Sequence, residues 1–221
     1  MCYNSRATSV FRKRHVQEEE GSRPEAPAEA EEAQGKEKGP GPGNSTKGGM
    51  KRALLLTGKP GTGKTALIKE ALTTTRVKAG GFYTEEMRAE GVREGFRLIT
   101  LDGQSATLAH VGISSPFKVS KYKVDTSALE RVGVSALKRA LQESGLIVID
   151  EIGKMELLSP QFKETVTQAL DSGRKVLGTI MLNPHPFADE IKRHTEVEVL
   201  LVTRDNQAEV MKKVLDHIAS H

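Results

Sequence analysis

The sequence predicts an α/β protein, with a mostly parallel sheet flanked by helices and a β-hairpin insertion after the first helix. Three observations carry this. Ala53-Leu54-Leu55-Leu56-Thr57 is a short apolar run that feeds a glycine-rich turn and then a helical pattern. Leu146-Ile147-Val148-Ile149 is a second apolar run without polar alternation, as expected of a central parallel strand covered on both faces, and it ends in Asp150-Glu151. Between them lie alternating segments separated by turn residues, the pattern of antiparallel hairpins.

The turn after the first run reads Gly58-Lys59-Pro60-Gly61-Thr62-Gly63-Lys64-Thr65. Its spacing, G-x-x-x-x-G-K-[ST], lets successive backbone N–H groups converge on phosphate oxygens, with the following helix adding the positive end of its dipole. Gly61 and Gly63 let the backbone approach without a Cβ, and Pro60 stands where no N–H is needed. Lys64 is the candidate partner of the β- and γ-phosphates, and the Thr65 hydroxyl a candidate Mg²⁺ ligand. The helix, expected from Lys64 to about Thr74, opens with Ala66.

Beyond it, Lys78-Ala79-Gly80-Gly81 reads as a turn, Phe82 to Met87 as a strand and Ala89-Glu90-Gly91 as a reversal. Gly95 to Leu101 alternates, Asp102-Gly103 is a turn dipeptide, and Ser105 to Ala109 and Tyr122 to Val124 read as further strands. Thr126 or Ser127 fits the N-cap of an apolar helix face that Gly133 is expected to split and Gly145 to end. After the Leu146 strand come a helix from Ser159 to Leu170, a strand from Lys175 to Met181 and the irregular Asn183-Pro184-His185-Pro186. A short helix to Arg193, a strand from Glu196 to Val202 and a closing helix from Asn206 to Ile218 complete the order. Right-handed crossovers are expected between the parallel strands.

Residues 1–49 contrast with all this. From Glu18 to Gly49 the chain is nearly free of large apolar residues, so it cannot bury enough surface to offset its ordering entropy, and 1–49 are expected to be a disordered, low-complexity tail ahead of a domain over 50–221. Arg12-Lys13-Arg14 is a basic cluster within an acid-free start, which leaves organelle targeting open. No stretch is long enough for a membrane span, and the single cysteine, Cys2, excludes an intramolecular disulfide; a reducing, cytoplasmic setting is expected. The net charge of +4 is no sign of a polynucleotide partner. The tail carries eight basic and eight acidic residues, leaving 25 basic against 21 acidic in the rest, and aromatic content is 4%.

The chemistry gathers at two places. Asp150 closes its strand at the end where ligands collect in open α/β sheets, so its carboxylate is a candidate to hold Mg²⁺ opposite Thr65. Glu151, free to turn at the strand end, is the candidate to orient or deprotonate an attacking water. The nucleotide-binding residues are therefore Gly58, Lys59, Pro60, Gly61, Thr62, Gly63, Lys64, Thr65 and Ala66, with Leu146, Ile147, Val148, Ile149, Asp150, Glu151, Ile152 and Gly153. Lys154 ranks below Glu151. Arg88, Arg93, Arg97, Arg193 and Arg204 are alternative transition-state cations, while His110, His185 and His194 lack metal-ligand spacing.

Taken with Gly81-Phe82-Tyr83-Thr84-Glu85-Glu86, Gly95-Phe96 and Leu101-Asp102-Gly103, and above all Ile149 through Leu157, these motifs resemble the small P-loop nucleoside-triphosphatases described from thermophiles and also present in animals. The resemblance runs from about Lys51 to the C-terminus. It implies a P-loop NTPase fold of the RecA, or additional-strand, type. It also implies slow, Mg²⁺-dependent hydrolysis of ATP, GTP and other nucleoside triphosphates to the diphosphate and phosphate. Separately, a monomer or weak oligomer is expected. Ser120 and Met181 depart from the pattern, standing where glycine and proline are frequent. A nucleotide or nucleoside kinase and a nucleotide-dependent switch module are the alternatives. If the tail stands apart from the domain, a protein starting at Gly49 folds and keeps its turnover, which thermal melting and phosphate release would measure.

Overall fold

The computed structural model describes residues 51–220, so the tail expected over 1–49 lies outside the described residues. Strands β1 (Ala53–Thr57), β2 (Ala79–Ala89), β3 (Val92–Thr100), β4 (Ser105–His110), β5 (Lys118–Val119), β6 (Tyr122–Val124), β7 (Leu146–Ile152), β8 (Lys175–Ile180) and β9 (Val197–Leu201) form one sheet. Their order is β5-β6-β4-β3-β2-β7-β8-β1-β9. The half from β2 to β9 is parallel throughout, and the half from β2 to β5 is antiparallel. One strand, β8, separates the phosphate-loop strand β1 from the acid-tipped strand β7. This is the additional-strand arrangement.

Alternation along the parallel strands sorts the core into two layers. Leu54, Leu56, Leu146 and Val148 face α1 (Lys64–Thr74) and α6 (Gln207–Ala219), meeting Leu67, Ile68, Val210 and Val214. Ala53, Leu55, Ile147 and Ile149 face the other way, toward α3 (Ser135–Glu143), α4 (Pro160–Asp171) and α5 (Pro186–Arg193). Burying a Leu or Ile contributes about 1.5–3 kcal/mol, which is why runs with no polar member occupy the sheet centre. Among the described residues no helix is long and apolar enough to cross a membrane.

Several expectations are corrected. Ala79-Gly80-Gly81 is not a turn but the start of β2, paired in parallel with Leu146, Ile147 and Val148 before the same strand turns to antiparallel pairing with β3. The N-cap is Asp125, whose carboxylate accepts from the Ala128 N–H at 2.8 Å, rather than Thr126 or Ser127; a charged acceptor there also suits the helix dipole. Gly133 does not split the helix. The chain runs through α2 (Thr126–Ala128), a π-helical turn over Leu129–Val134 and α3, and a Cβ on Gly133 would lie 2.7 Å from Leu98 Cδ1, so glycine is there for close packing on the sheet. The strand β5 went unread because two residues carry no period. Ser120, at φ 55°, takes the left-handed conformation in the tight turn between β5 and β6, where glycine would fit without strain.

Gly81 marks where β2 changes partners. Its φ is +116°, and a Cβ there would fall on the Val148 carbonyl of β7. Gly81→Ala is expected to cost at least about 2 kcal/mol, through forbidden backbone and overpacking together, read as a lower urea midpoint with an unchanged m-value.

Candidate active site

The segment from Gly58 to Gly63 curls between β1 and α1, with Gly61 and Gly63 at φ 77° and 87°. Helix α1 has no side-chain cap at Gly63 and no acid in its first turn, so its leading N–H groups and the positive end of its dipole are left open to the cleft. Lys64 Nζ donates to the carbonyls of Gly58 at 3.0 Å and Lys59 at 3.2 Å, which holds the ammonium over the loop. The loop is fastened from behind. Gln207 Nε2 donates to the Thr62 carbonyl at 2.8 Å, tying it to the start of α6, and the Val202 N–H donates to Thr57 O at 2.7 Å.

At the end of β7 the register with β8 slips between Ile149 and Ile152, so that Asp150 and Glu151 together face Thr179 alone on the partner. This bulge breaks the strand's alternation and re-aims the neighbouring acids. Asp150 is 1% exposed. Thr179 of β8 donates to its Oδ1 at 2.7 Å, while Oδ2 is buried with no hydrogen-bond partner. Burial pushes the Asp150 carboxyl above the ordinary range, against the hydroxyls of Thr179 and Thr65 and the charge of Lys64. A buried carboxylate oxygen without a partner, beside a threonine hydroxyl, fits the oxygen-rich shell of a hard divalent cation.

Glu151 lines the cleft. Its carboxyl is raised by burial and then by the charge of Asp150, and lowered by Lys64. A third acid, Glu156, is 5% exposed and was not singled out by sequence. A Cβ on Gly153 would lie 3.0 Å from Glu156 Oε2 and 3.1 Å from Glu151 Cδ, so the two side chains converge on one point. Burial, then the neighbouring Glu151, pushes the Glu156 carboxyl up to about 8.

The cleft measures about 670 Å³. Gly58, Lys59, Pro60, Gly61, Gly63, Lys64, Thr65 and Ala66 form one side and Glu151 and Gly153 another, while Thr62 turns inward, its hydroxyl donating to Lys59 O at 3.0 Å. Leu146, Ile147, Val148 and Ile149 do not reach it. They are fully buried in the sheet, as is Ile152, and their part is to hold the acids that follow. Lys154 lines the cleft, and of the five candidate arginines Arg93 does so; Arg88 is paired to Glu86 and Arg97 to Glu85. His194 pairs with Asp171 away from the site. Sequence missed Thr84, Glu86, Phe96, Met155 and Thr179, which reach the cleft from four separate strands or loops. Thr179 had a signal, as a polar residue within an apolar strand at the ligand end of the sheet.

Fold and loop together define a P-loop NTPase of the additional-strand type. The family model described as NTPase matches residues 53–215, and the chain belongs to that family. It is 47% identical over 162 residues to the nucleoside-triphosphatase THEP1 of Thermotoga sp. strain RQ2, covering 73% of this chain and 92% of that one. It is 38% identical over 187 residues to the human cancer-related nucleoside-triphosphatase, covering 77% and 98%. The crystal structure of THEP1 from the hyperthermophile Aquifex aeolicus superposes with a TM-score of 0.70 at 33% identity, covering 76% of this chain and 99% of that one.

Glu156 makes a pH prediction. A carboxyl raised from 4.5 to about 8 in the folded state binds a proton that the unfolded chain has released, so stability falls as pH rises across that window. Glu156→Gln removes that group's share of the dependence. Its melting temperature is expected to exceed that of the parent more at pH 8 than at pH 5, and an equal difference at both would show that Glu156 is not held neutral.

Proposed function

We propose that the protein hydrolyses nucleoside triphosphates to the diphosphate and phosphate with Mg²⁺, and with little selectivity for the base. The observation that carries this is an uncapped helix N-terminus, Lys64, Thr65 and Glu151 lining one cleft, with the buried Asp150 behind it beside the Thr65 hydroxyl. The names of its relatives point the same way. Backbone N–H groups and the positive end of α1 hold the phosphates, and neither reads the base, which supports broad tolerance. Thr65 and Asp150 would hold the Mg²⁺, which offsets phosphate charge when bound. Lys64 swings from its loop carbonyls to the β- and γ-phosphates, supplying charge where the transition state gathers it.

Glu151 accepts a proton from the attacking water. Its basicity is raised by burial and by Asp150, toward the range where a general base works at neutral pH. The acid limb of the pH–rate profile should therefore lie above the ordinary glutamate range. Glu151→Gln keeps size and removes the base, and turnover should fall by about 10²- to 10⁴-fold with nucleotide affinity largely kept. Asp150→Asn and Lys64→Ala should instead lose binding along with turnover. Phosphate release, paired with titration of a fluorescent triphosphate, separates these cases, and near-normal release by Glu151→Gln would sink the assignment.

A further inference from the structure

Lys59, Lys64, Arg93 and Lys154 line the cleft, and these cations are not held alike. Lys59 and Lys64 belong to the phosphate loop, so both meet a triphosphate from the loop side. Arg93 stands on the sheet extension and keeps its charge, because Glu86 is shared, with Arg88 on its Oε2 and Arg93 on its Oε1. That guanidinium is pinned all the same. It donates to Glu86 at 2.5 Å and to the Tyr122 hydroxyl at 3.0 Å, and it lies over the rings of Phe96 and Tyr122 at 5.1 and 5.8 Å from their centroids. It supplies a fixed positive field and does not follow a moving group.

Lys154 combines a fixed backbone with a free side chain. The turn that carries it follows Glu151 after Ile152 and Gly153, and is tied on both sides: the Met181 N–H donates to Ile152 O at 3.1 Å and the Leu157 N–H to Gly153 O at 3.0 Å. The side chain is exposed and, among the described residues, makes no ion pair. Of the cations in the cleft only Lys64 lowers the Glu151 carboxyl, so the Lys154 ammonium is not engaged by that acid. It is a compact charge on a flexible stem, placed where Glu151 would meet the attacking water.

Hydrolysis needs a cation on that side. As the bond to the leaving group breaks, negative charge spreads over the γ-phosphoryl oxygens, and Lys64 answers it from the loop side alone. Glu151 adds a further negative charge opposite. An ammonium beside low-dielectric walls such as Phe96 and Met155 offsets both more strongly than it would in bulk water.

We propose that Lys154 is a catalytic residue of this hydrolysis: its ammonium swings from solvent onto a γ-phosphoryl oxygen opposite Lys64 and stabilises the transition state. Other NTPases take an arginine from a partner protein for this task. The inference rests on Lys64, Thr65, Asp150 and Glu151 being the triphosphate site. The water oxygen attacks the γ-phosphorus as the bond from that phosphorus to the β–γ bridging oxygen breaks. The diphosphate leaves with the electron pair, the water proton passes to the Glu151 carboxylate, and Lys154 exchanges no proton.

The test compares the full chain with Lys154→Ala and Lys154→Arg. It measures phosphate release from ATP with Mg²⁺, titration of a fluorescent non-hydrolysable triphosphate, and binding of ADP with Mg²⁺ and aluminium fluoride, a mimic of the γ-phosphoryl group in transfer. Lys154→Ala is expected to lower kcat by about 10²- to 10³-fold, the usual effect of removing one donor to transition-state charge. Its KM and its affinity for the non-hydrolysable triphosphate should stay within about threefold of the parent, while affinity for the aluminium fluoride complex falls in step with kcat. Lys154→Arg should recover about tenfold or more of the lost turnover, since it restores the charge. Melting temperature should be the same in all three proteins. A kcat for Lys154→Ala within about threefold of the parent overturns the proposal and leaves hydrolysis standing. Equal losses of affinity for the two analogues, or a lowered melting temperature that accounts for the lost turnover, overturn it as well, by making Lys154 a binding or structural residue. A parent protein that releases no phosphate overturns the triphosphate site itself, and the role of Lys154 with it.

Discussion

Three carboxyl groups and one lysine share a corner at the carboxyl end of the sheet, and the surrounding structure answers to that charge balance. Burial is the largest cause raising each of Asp150, Glu151 and Glu156; the charge of Asp150 also raises Glu151, and both raise Glu156. Lys64 opposes this for Asp150 and Glu151. Left to itself such a corner would open to water or neutralise. It is held closed by what lies behind it. The fully buried run from Leu146 to Ile149 is clamped between β2 and β8, and two apolar layers press on its faces, so the acids are delivered by a strand enclosed on every side.

That enclosure gives the corner its chemistry. A carboxylate with one oxygen bound to Thr179 and the other unpartnered is costly in the folded state alone, a cost that the proposed cation and phosphates would recover. The same logic covers the uncapped start of α1. A side-chain cap there would stabilise the helix by about 1 kcal/mol but would occupy the donors that an anion needs. On the proposed reading stability is withheld at both places in favour of ligand, while the tie from Gln207 to the Thr62 carbonyl fixes the shape of the loop.

Much of this was legible in the sequence, for physical reasons that differ by element. The loop from Gly58 to Thr65 could be read because its function demands particular residues at fixed local spacing, and the Leu146 strand because a strand buried on both faces tolerates no polar member. Local reading fails where Ala79-Gly80-Gly81 looks like a turn, since the two glycines answer to Ser144, Ala140 and Val148, residues distant in sequence that leave no space for a side chain. Gly133 misled in the same way. Glu156 was invisible because nothing local distinguishes a buried glutamate from a solvated one; its burial comes from the short helical turn Glu156–Leu158 folding it back beneath Gly153. Thr84, Phe96 and Arg93 reach the site only through the sheet's extension, a tertiary fact.

The extension is not a separate lid. Strand β2 pairs with β7 through Phe82 and with β3 from Phe82 onward, so a single residue belongs to both halves of the sheet. Swinging the antiparallel half against the parallel one would bend the chain there, and Phe82 is fully buried with its ring 6.2 Å from that of Phe162 on α4. The wall carrying Thr84, Glu86, Arg93 and Phe96 is therefore a fixed surface, braced by the Glu86–Arg93 pair and by Arg93 against Tyr122. Adjustment to a ligand falls to the other wall, where Gly153 to Met155 and Met181 to Asn183 lie in connections outside regular strands. Shape selection on the fixed side and accommodation on the loop side follow from one strand serving two sheets' worth of pairing.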